Sequence, residues 1–218
     1  MRTVLITGTN RGIGLEFARQ YAADGWDVIA TARQSSPELD TLGVRVEPLD
    51  MQDLDAAVAL GRRIERLDLL IANAGTWIPE QAESADDGRA WTEMLTTNTV
   101  APYLLARSVI RQIGEARGKL MALTSGMGSI AESSGGYVPY RSSKAALNMA
   151  WHSLTIEAKR LGAVAAVLDP GWVKTRMGGA NAPTPPEQSV ADMRRLIERL
   201  GPEDSGGFFK RDGSRHDW

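Results

Sequence analysis

Tyr140 and Lys144 sit four residues apart in the stretch Tyr-Arg-Ser-Ser-Lys. On a helix, positions i and i+4 share a face, so a phenol and an ammonium can enter one site. A phenol of ordinary pKa, about 10, is a poor proton shuttle at neutral pH. A cation within about 4–6 Å favours the phenolate and lowers that value. So tuned, Tyr140 could give a proton to a carbonyl oxygen or take one from an alcohol. The same spacing also occurs on solvated helix faces, so the surrounding elements must decide between the two.

Those elements alternate. Thr3–Thr7 is a short apolar, β-branched run stopped by Gly8, and a helical pattern from Leu15 follows Gly12 and Gly14. Strand, glycine turn and helix form the context of a dinucleotide-binding loop. The glycines allow close backbone approach, and the helix N-terminus offers free N–H groups to a pyrophosphate. Further strands are expected at Asp27–Ala32, Val44–Leu49, Asp68–Ala72, Gly118–Thr124, Ala163–Leu168 and Gly206–Phe209. Helices are expected over Leu54–Arg66, Arg89–Ile113, the stretch after Tyr140, and Glu187–Leu200. This alternation predicts an α/β fold: a single-domain, Rossmann-type, doubly wound parallel sheet spanning 1–218, with about seven strands in the order 3-2-1-4-5-6-7 and helices on both faces.

At the end of the second strand such folds read the adenosine ribose. An acid there bonds the 2′-hydroxyl, and an arginine tolerates a 2′-phosphate. Here Arg33 follows Thr31-Ala32, and Arg11 lies in the glycine loop, with no acid beside them. This favours NADP(H) over NAD(H). Asp50, just past the third strand, either caps the next helix or touches the adenine, and Asp53 offers itself as a cap as well. Asn73-Ala74-Gly75 ends the fourth strand with small residues that let a cofactor pass close to the backbone. Pro102 lies four residues after Asn98 and cannot bond its carbonyl. A kink is therefore expected, with the Asn98 carbonyl left to anchor a water relay. Ser125 and Ser129 lie in a flexible loop at a strand end, where open α/β sheets bind ligands. The stretch 176–186, rich in Gly, Ala and Pro, reads as a substrate-side loop. Trp77, Tyr137, Trp172 and Met177 are candidates for an apolar or aromatic pocket. Small residues Ala145, Ala146 and Ala150 on the helix after Tyr140 invite a second subunit, as a homodimer or homotetramer.

Composition narrows the classes further. The formal net charge is −2, so there is no electrostatic case for nucleic acid or an anionic membrane. There is no cysteine, which rules out disulfides and thiolate chemistry. His152 and His216 are the only histidines, so no metal site is expected. No apolar run is long enough for a membrane span, and the start has too short an apolar run for a signal peptide. A cytoplasmic protein is expected.

Taken together, Thr7-Gly8-x3-Gly12-x-Gly14, Asn73-Ala74-Gly75, Asn98, Ser125, Tyr140-x3-Lys144 and Pro170-Gly171-x3-Thr175 resemble the short-chain dehydrogenase/reductase family, along essentially the whole chain. The runs around Ser125 and Tyr140 resemble its sniffer-like carbonyl reductase and C-factor-like branch. The resemblance implies Tyr140 as general acid for carbonyl reduction and base for alcohol oxidation. It implies Lys144 as the group that lowers the Tyr140 pKa and bonds the nicotinamide ribose, Ser125 as the holder of the substrate oxygen, and Asn98 as the anchor of a water leading to solvent. It also places Asn10, Ile13, Met51, Pro170, Gly171, Val173 and Thr175 at the cofactor. Ser125 precedes Tyr140 by a longer loop than is usual, so Ser129 competes for its role. Tyr137 competes with Tyr140, but its i+4 partner is Arg141, better suited to forked contacts. The implied activity is an NADP(H)-dependent interconversion of a carbonyl (aldehyde, ketone or quinone) and an alcohol. The alternative is a nucleotide-binding signalling protein of C-factor type with incidental catalysis.

Overall fold

Apolar residues alternate along the first strand: Val4 and Ile6 pack toward one side of the sheet and Leu5 toward the other. With both faces covered, the strand is apolar throughout, as parallel sheets require. In the computed structural model, which describes residues 1–78 and 87–218, this strand is β1 (Thr3–Thr7). It is followed by α1 (Gly12–Ala23), β2 (Asp27–Ala32), the single turn α2 (Pro37–Asp40), β3 (Arg45–Pro48), α3 (Leu54–Arg63) and β4 (Leu69–Ala72). The second half contains α4 (Gly88–Leu95), α5 (Ala101–Glu115), β5 (Lys119–Leu123), α6 (Val138–Arg160), β6 (Val164–Asp169), α7 (Pro186–Arg199) and β7 (Phe208–Lys210). The expected loop over 76–88 falls in part on residues 79–86, including Pro79, which lie outside the described residues.

Every strand pair is parallel, and the sheet order is β3-β2-β1-β4-β5-β6-β7. The order reverses between β1 and β4, opening a crevice at their carboxyl ends where such sheets bind ligands. One face is covered by α3, α5 and α6, with Leu60, Val109, Ile113, Leu147 and the fully buried Trp151. The indole of Trp151 donates to the Leu120 carbonyl at 3.0 Å, which satisfies its one polar group. The other face is covered by α1 and α7, through Phe17, Tyr21, Val190, Met193 and Ile197.

The helix expected over Arg89–Ile113 is interrupted. Between α4 and α5 the chain widens into a π-helical turn, Thr96–Val100, in which the Ala101 N–H donates to the Thr96 carbonyl five residues back. Pro102 has no N–H and its ring crowds the preceding turn. The wider turn accommodates it, so a bulge with Asn98 at its centre takes the place of the expected kink. The expected helix to Arg66 ends earlier, at Arg63, because the chain becomes extended at Ile64.

Candidate active site

The glycine loop is held from two sides. Gly8 and Thr9 N–H groups both donate to the Thr31 carbonyl on β2, at 2.9 and 3.0 Å. From β4, the Asn73 amide donates to the carbonyls of Thr7 (2.7 Å) and Gly8 (3.2 Å). The Thr7 hydroxyl in turn accepts from the Asn73 and Ala74 N–H groups. Asn73 therefore builds the loop as well as lining the crevice. A Cβ at Gly14 would lie 2.1 Å from the Gly8 carbonyl oxygen, so only glycine fits where α1 meets the loop. Gly8 and Gly12 have φ of +72° and +56°, the left-handed region glycine favours. No side chain caps the start of α1, so its first N–H groups are available to an anion.

From this loop a cavity of about 870 Å³ runs across the carboxyl ends of the strands. At its outer end stand Arg11, Arg33, Asp50 and Met51. Along its floor are Gly8, Asn10, Gly12, Ile13 and Gly14, then Asn73, Ala74 and Gly75. Tyr140, Lys144, Pro170 and Thr175 close the inner end, beside Trp77 and Met177. Gly171 and Val173 are off this wall. Gly171 (φ +75°) donates its N–H to Asp169 at 2.9 Å, and Val173 is buried and bridges to Thr184. Asp50 accepts from the Gln52 N–H in a local turn, and the cap on α3 is Asp53, which accepts from Ala56 at 2.9 Å. Of the two roles open to Asp50, the capping one thus falls to its neighbour.

Lys174 and Arg176 also line the cavity, and no local sequence signal marked them. The Arg11 pKa is lowered, by burial first and then by the nearby charges of Arg176 and Arg33. Crowded guanidinium groups repel one another, and an anion between them would relieve the repulsion.

Tyr140 and Lys144 lie in the first two turns of α6, as the spacing predicts. The Ser125 side chain reaches the Tyr140 phenol closely enough to favour its ionised form, and its hydroxyl accepts from the Met127 N–H at 3.2 Å. Ser129 is buried and turned away, its hydroxyl accepting from the Glu132 N–H. Of the two serines, Ser125 is the one the structure brings to Tyr140. Trp77 stands edge-on to Tyr140 (5.9 Å between ring centroids, 89°) and stacks with Tyr137 (5.2 Å, 25°). Tyr137 is thus a wall beside Trp77, in a left-handed conformation (φ +50°).

The expected tuning of the phenol differs here. Burial pushes the Tyr140 pKa up to about 12, Asp169 adds to the rise, and the Ser125 side chain opposes it. The Lys144 ammonium donates to the Leu123 carbonyl at 2.9 Å and lies 5.8 Å from the Tyr140 ring centroid. It is itself desolvated, which lowers its pKa to about 8, with Asp169 acting in the opposite sense. Asn98 is buried in the π-turn, and its side-chain amide clamps Thr76: Oδ1 accepts from the Thr76 N–H (2.8 Å) and Nδ2 donates to the Thr76 carbonyl (2.9 Å). The sequence drew attention to its backbone carbonyl, whereas the structure engages its side chain.

A phosphate-ready loop and a half-buried phenol beside a buried ammonium, on one crevice of a doubly wound sheet, define an oxidoreductase of the Rossmann-type class. The family model for short chain dehydrogenase matches residues 2–185, and the chain belongs to that family. It is 38% identical to the C-signal protein of Myxococcus xanthus over 70% of this chain and 93% of that one. Its fold matches the carbonyl reductase Sniffer of D. melanogaster with a TM-score of 0.92 and 30% identity, covering 100% of both chains. An NADPH-bound carbonyl reductase from chicken fatty liver superposes with a TM-score of 0.88 at 30% identity, covering 100% of this chain and 99% of that one. These similarities place the chain with the sniffer-like and C-factor-like branch.

Proposed function

We propose that the chain, acting as one domain over 1–218, is an NADP(H)-dependent carbonyl reductase of small apolar or aromatic aldehydes, ketones or quinones. The observation that carries this reading is that Tyr140 and Lys144 face the same cavity that the glycine loop opens. The glycine loop and the start of α1 suit a pyrophosphate. Arg33 and Arg11, without a competing carboxylate at the end of β2, suit a 2′-phosphate. Lys144 would bond the nicotinamide ribose in place of the Leu123 carbonyl. When bound, the cofactor supplies the hydride to the carbonyl carbon. Ser125 holds the carbonyl oxygen, and Tyr140, protonated well above neutral pH in this site, gives its proton to that oxygen as the C–O π electrons become a lone pair. Asn98 holds the Thr76 segment beside Lys144, on the route by which a water would return a proton. Trp77 and Tyr137 present an aromatic wall to the substrate. The same groups run the reverse reaction with Tyr140 as base. Cytoplasmic location and a homo-oligomeric state belong to the same proposal.

The test is an NADPH-oxidation screen over aldehydes, ketones and quinones, run in parallel with NADH. We expect turnover with NADPH, a loss of about 10²–10⁴-fold in Tyr140→Phe, and NADPH binding retained in that variant. No turnover with any carbonyl would overturn the reading. In Arg33→Ala, affinity for NADPH should fall by roughly tenfold or more, as expected for a lost hydrogen bond to a charged group, with NADH unaffected. The likeness to C-signal favours a second reading, a nucleotide-binding regulator. A regulator would keep its biological activity in Tyr140→Phe.

A further inference from the structure

The segment 211–218 folds back over the end of the sheet and ends beside the serine loop. There His216 is held between two carboxylates from different elements. Its Nδ1 is 3.0 Å from Glu132 Oε2 on the loop that follows Ser125, and its Nε2 is 2.9 Å from Asp169 Oδ2 at the end of β6. The ring is 6% exposed and packs on Phe208, with centroids 4.5 Å apart. It also lies against the backbone next to Ser125, since a Cβ at Gly126 would meet its Cε1 at 3.0 Å. Two main-chain contacts tie the same segment to the same loop: Ala131 donates to the Trp218 carbonyl at 3.0 Å, and Asp217 donates to Glu132. The other carboxylate oxygen of Asp169 accepts from Gly171 in the turn after β6.

We infer that His216 is a positioning residue of the active site, bridging the Ser125 loop through Glu132 to the Asp169–Gly171 turn and so fixing where Ser125 stands against Tyr140. This rests on the reading of Ser125 as the holder of the substrate oxygen. A neutral imidazole has one N–H and can donate to one carboxylate only, whereas the protonated ring donates to both. Each ring nitrogen of His216 has one carboxylate oxygen within hydrogen-bond distance, so the ring spans the two elements. The groups facing His216 are Glu132 from the serine loop, Asp169 from β6, and Phe208 with Lys210 from β7, the last acting on Glu132. Within its own segment, Arg215 is paired with Asp204. Asp169 also raises the pKa of both Tyr140 and Lys144, so its hydrogen bonding bears on the proton donor as well as on the loop.

The test uses three variants. His216→Phe keeps a ring against Phe208 and removes both nitrogens. His216→Gln restores amide N–H donors without a titrating ring. Trp218→Ala loosens the packing of the segment on Phe208 and His152 and leaves the bridge. For a carbonyl that the wild type reduces, kcat should fall about ten- to a hundredfold in His216→Phe, the scale of a misplaced reacting group. NADPH affinity should stay within about twofold. His216→Gln should recover part of the loss, and Trp218→Ala should stay near wild type. Equal losses in His216→Phe and Trp218→Ala, or no recovery in His216→Gln, would overturn the inference. Amide exchange over 126–132 supplies a readout independent of catalysis. It should quicken in His216→Phe even if the wild type reduces no carbonyl, a result that would remove the proposed reaction and leave the bridge standing. Unchanged exchange would sink the bridge itself.

Discussion

The side-chain amide of Asn98 donates to the Ser143 hydroxyl at 3.0 Å, joining the π-turn to the helix that carries Tyr140 and Lys144. Ser143 passes the contact on, since its hydroxyl donates to the Tyr140 carbonyl at 2.8 Å. Thr99 makes a second tie, donating to the Ser143 carbonyl. The bulge forced by Pro102 thus presents two consecutive polar side chains to α6.

Replacing Asn98 with Ala removes the clamp on Thr76 and the tie to Ser143 together. We expect a loss of about 1–3 kcal/mol in stability and a marked fall in kcat. Ser143→Ala leaves the Thr76 clamp in place and should cost only about 1 kcal/mol. Urea unfolding followed by tryptophan fluorescence checks both values. Equal losses in the two variants would argue against the clamp as the larger contribution.

Burial of Lys144 costs stability while it is charged. Its folded pKa of about 8 lies below the ordinary 10.5, so between those values the unfolded chain binds more protons. Stability should therefore rise with pH across that window. Tyr140 and Tyr21, both raised to about 12 from 10, act the other way above pH 10, where only the unfolded chain loses its protons. Lys144→Met should abolish turnover and raise stability at pH 7 by about 1–2 kcal/mol, the relief of desolvation being offset in part by the orphaned Leu123 carbonyl. In the reductive direction, kcat/KM should fall as Lys144 loses its proton near pH 8. Asp169→Asn should move that limb to lower pH, because Asp169 holds the Lys144 pKa up.

Gly14→Ala places a methyl group into the Gly8 carbonyl and beside the Asn73 amide. The obstruction is backbone, which cannot swing aside as a flexible side chain would. Stability should fall by about 1–3 kcal/mol or more, and NADPH binding should be lost, as read by quenching of tryptophan fluorescence. A variant that binds NADPH normally would show that α1 can slide relative to the loop.

Trp77→Ala removes the edge-on contact with Tyr140 and the stack with Tyr137. An aromatic pair is worth about 0.5–1.5 kcal/mol beyond its buried area. The kcat/KM for an aromatic ketone should therefore fall by up to about tenfold, and more than for a small aliphatic aldehyde. Parallel loss for both substrates would assign Trp77 to packing alone.

The sheet order, the glycine loop and the placing of Tyr140 and Lys144 on one helix could be read directly, from short apolar runs alternating with helical patterns, glycines at a strand end, and i+4 spacing. The π-turn could not. Pro102 announced a broken helix, but whether the chain kinks or widens depends on what Asn98 and Thr99 find across the interface. Arg176 was invisible because only the return of its loop over the glycine turn brings it near Arg11. His216 lies 47 positions from Asp169 and 84 from Glu132, and nothing in local spacing foretells that meeting. The choice between Ser125 and Ser129 likewise needed the fold, which buries one hydroxyl under Glu132 and turns the other to Tyr140.

The backbone bond between Ala131 and Trp218 has a practical consequence for handling the protein. Anything fused after Trp218 emerges beside the serine loop, where an affinity tag would strain the anchoring of that loop and compete with substrates for the approach to Tyr140. Met1, 86% exposed at the far end of β1, is the safer place for a purification handle or a surface tether.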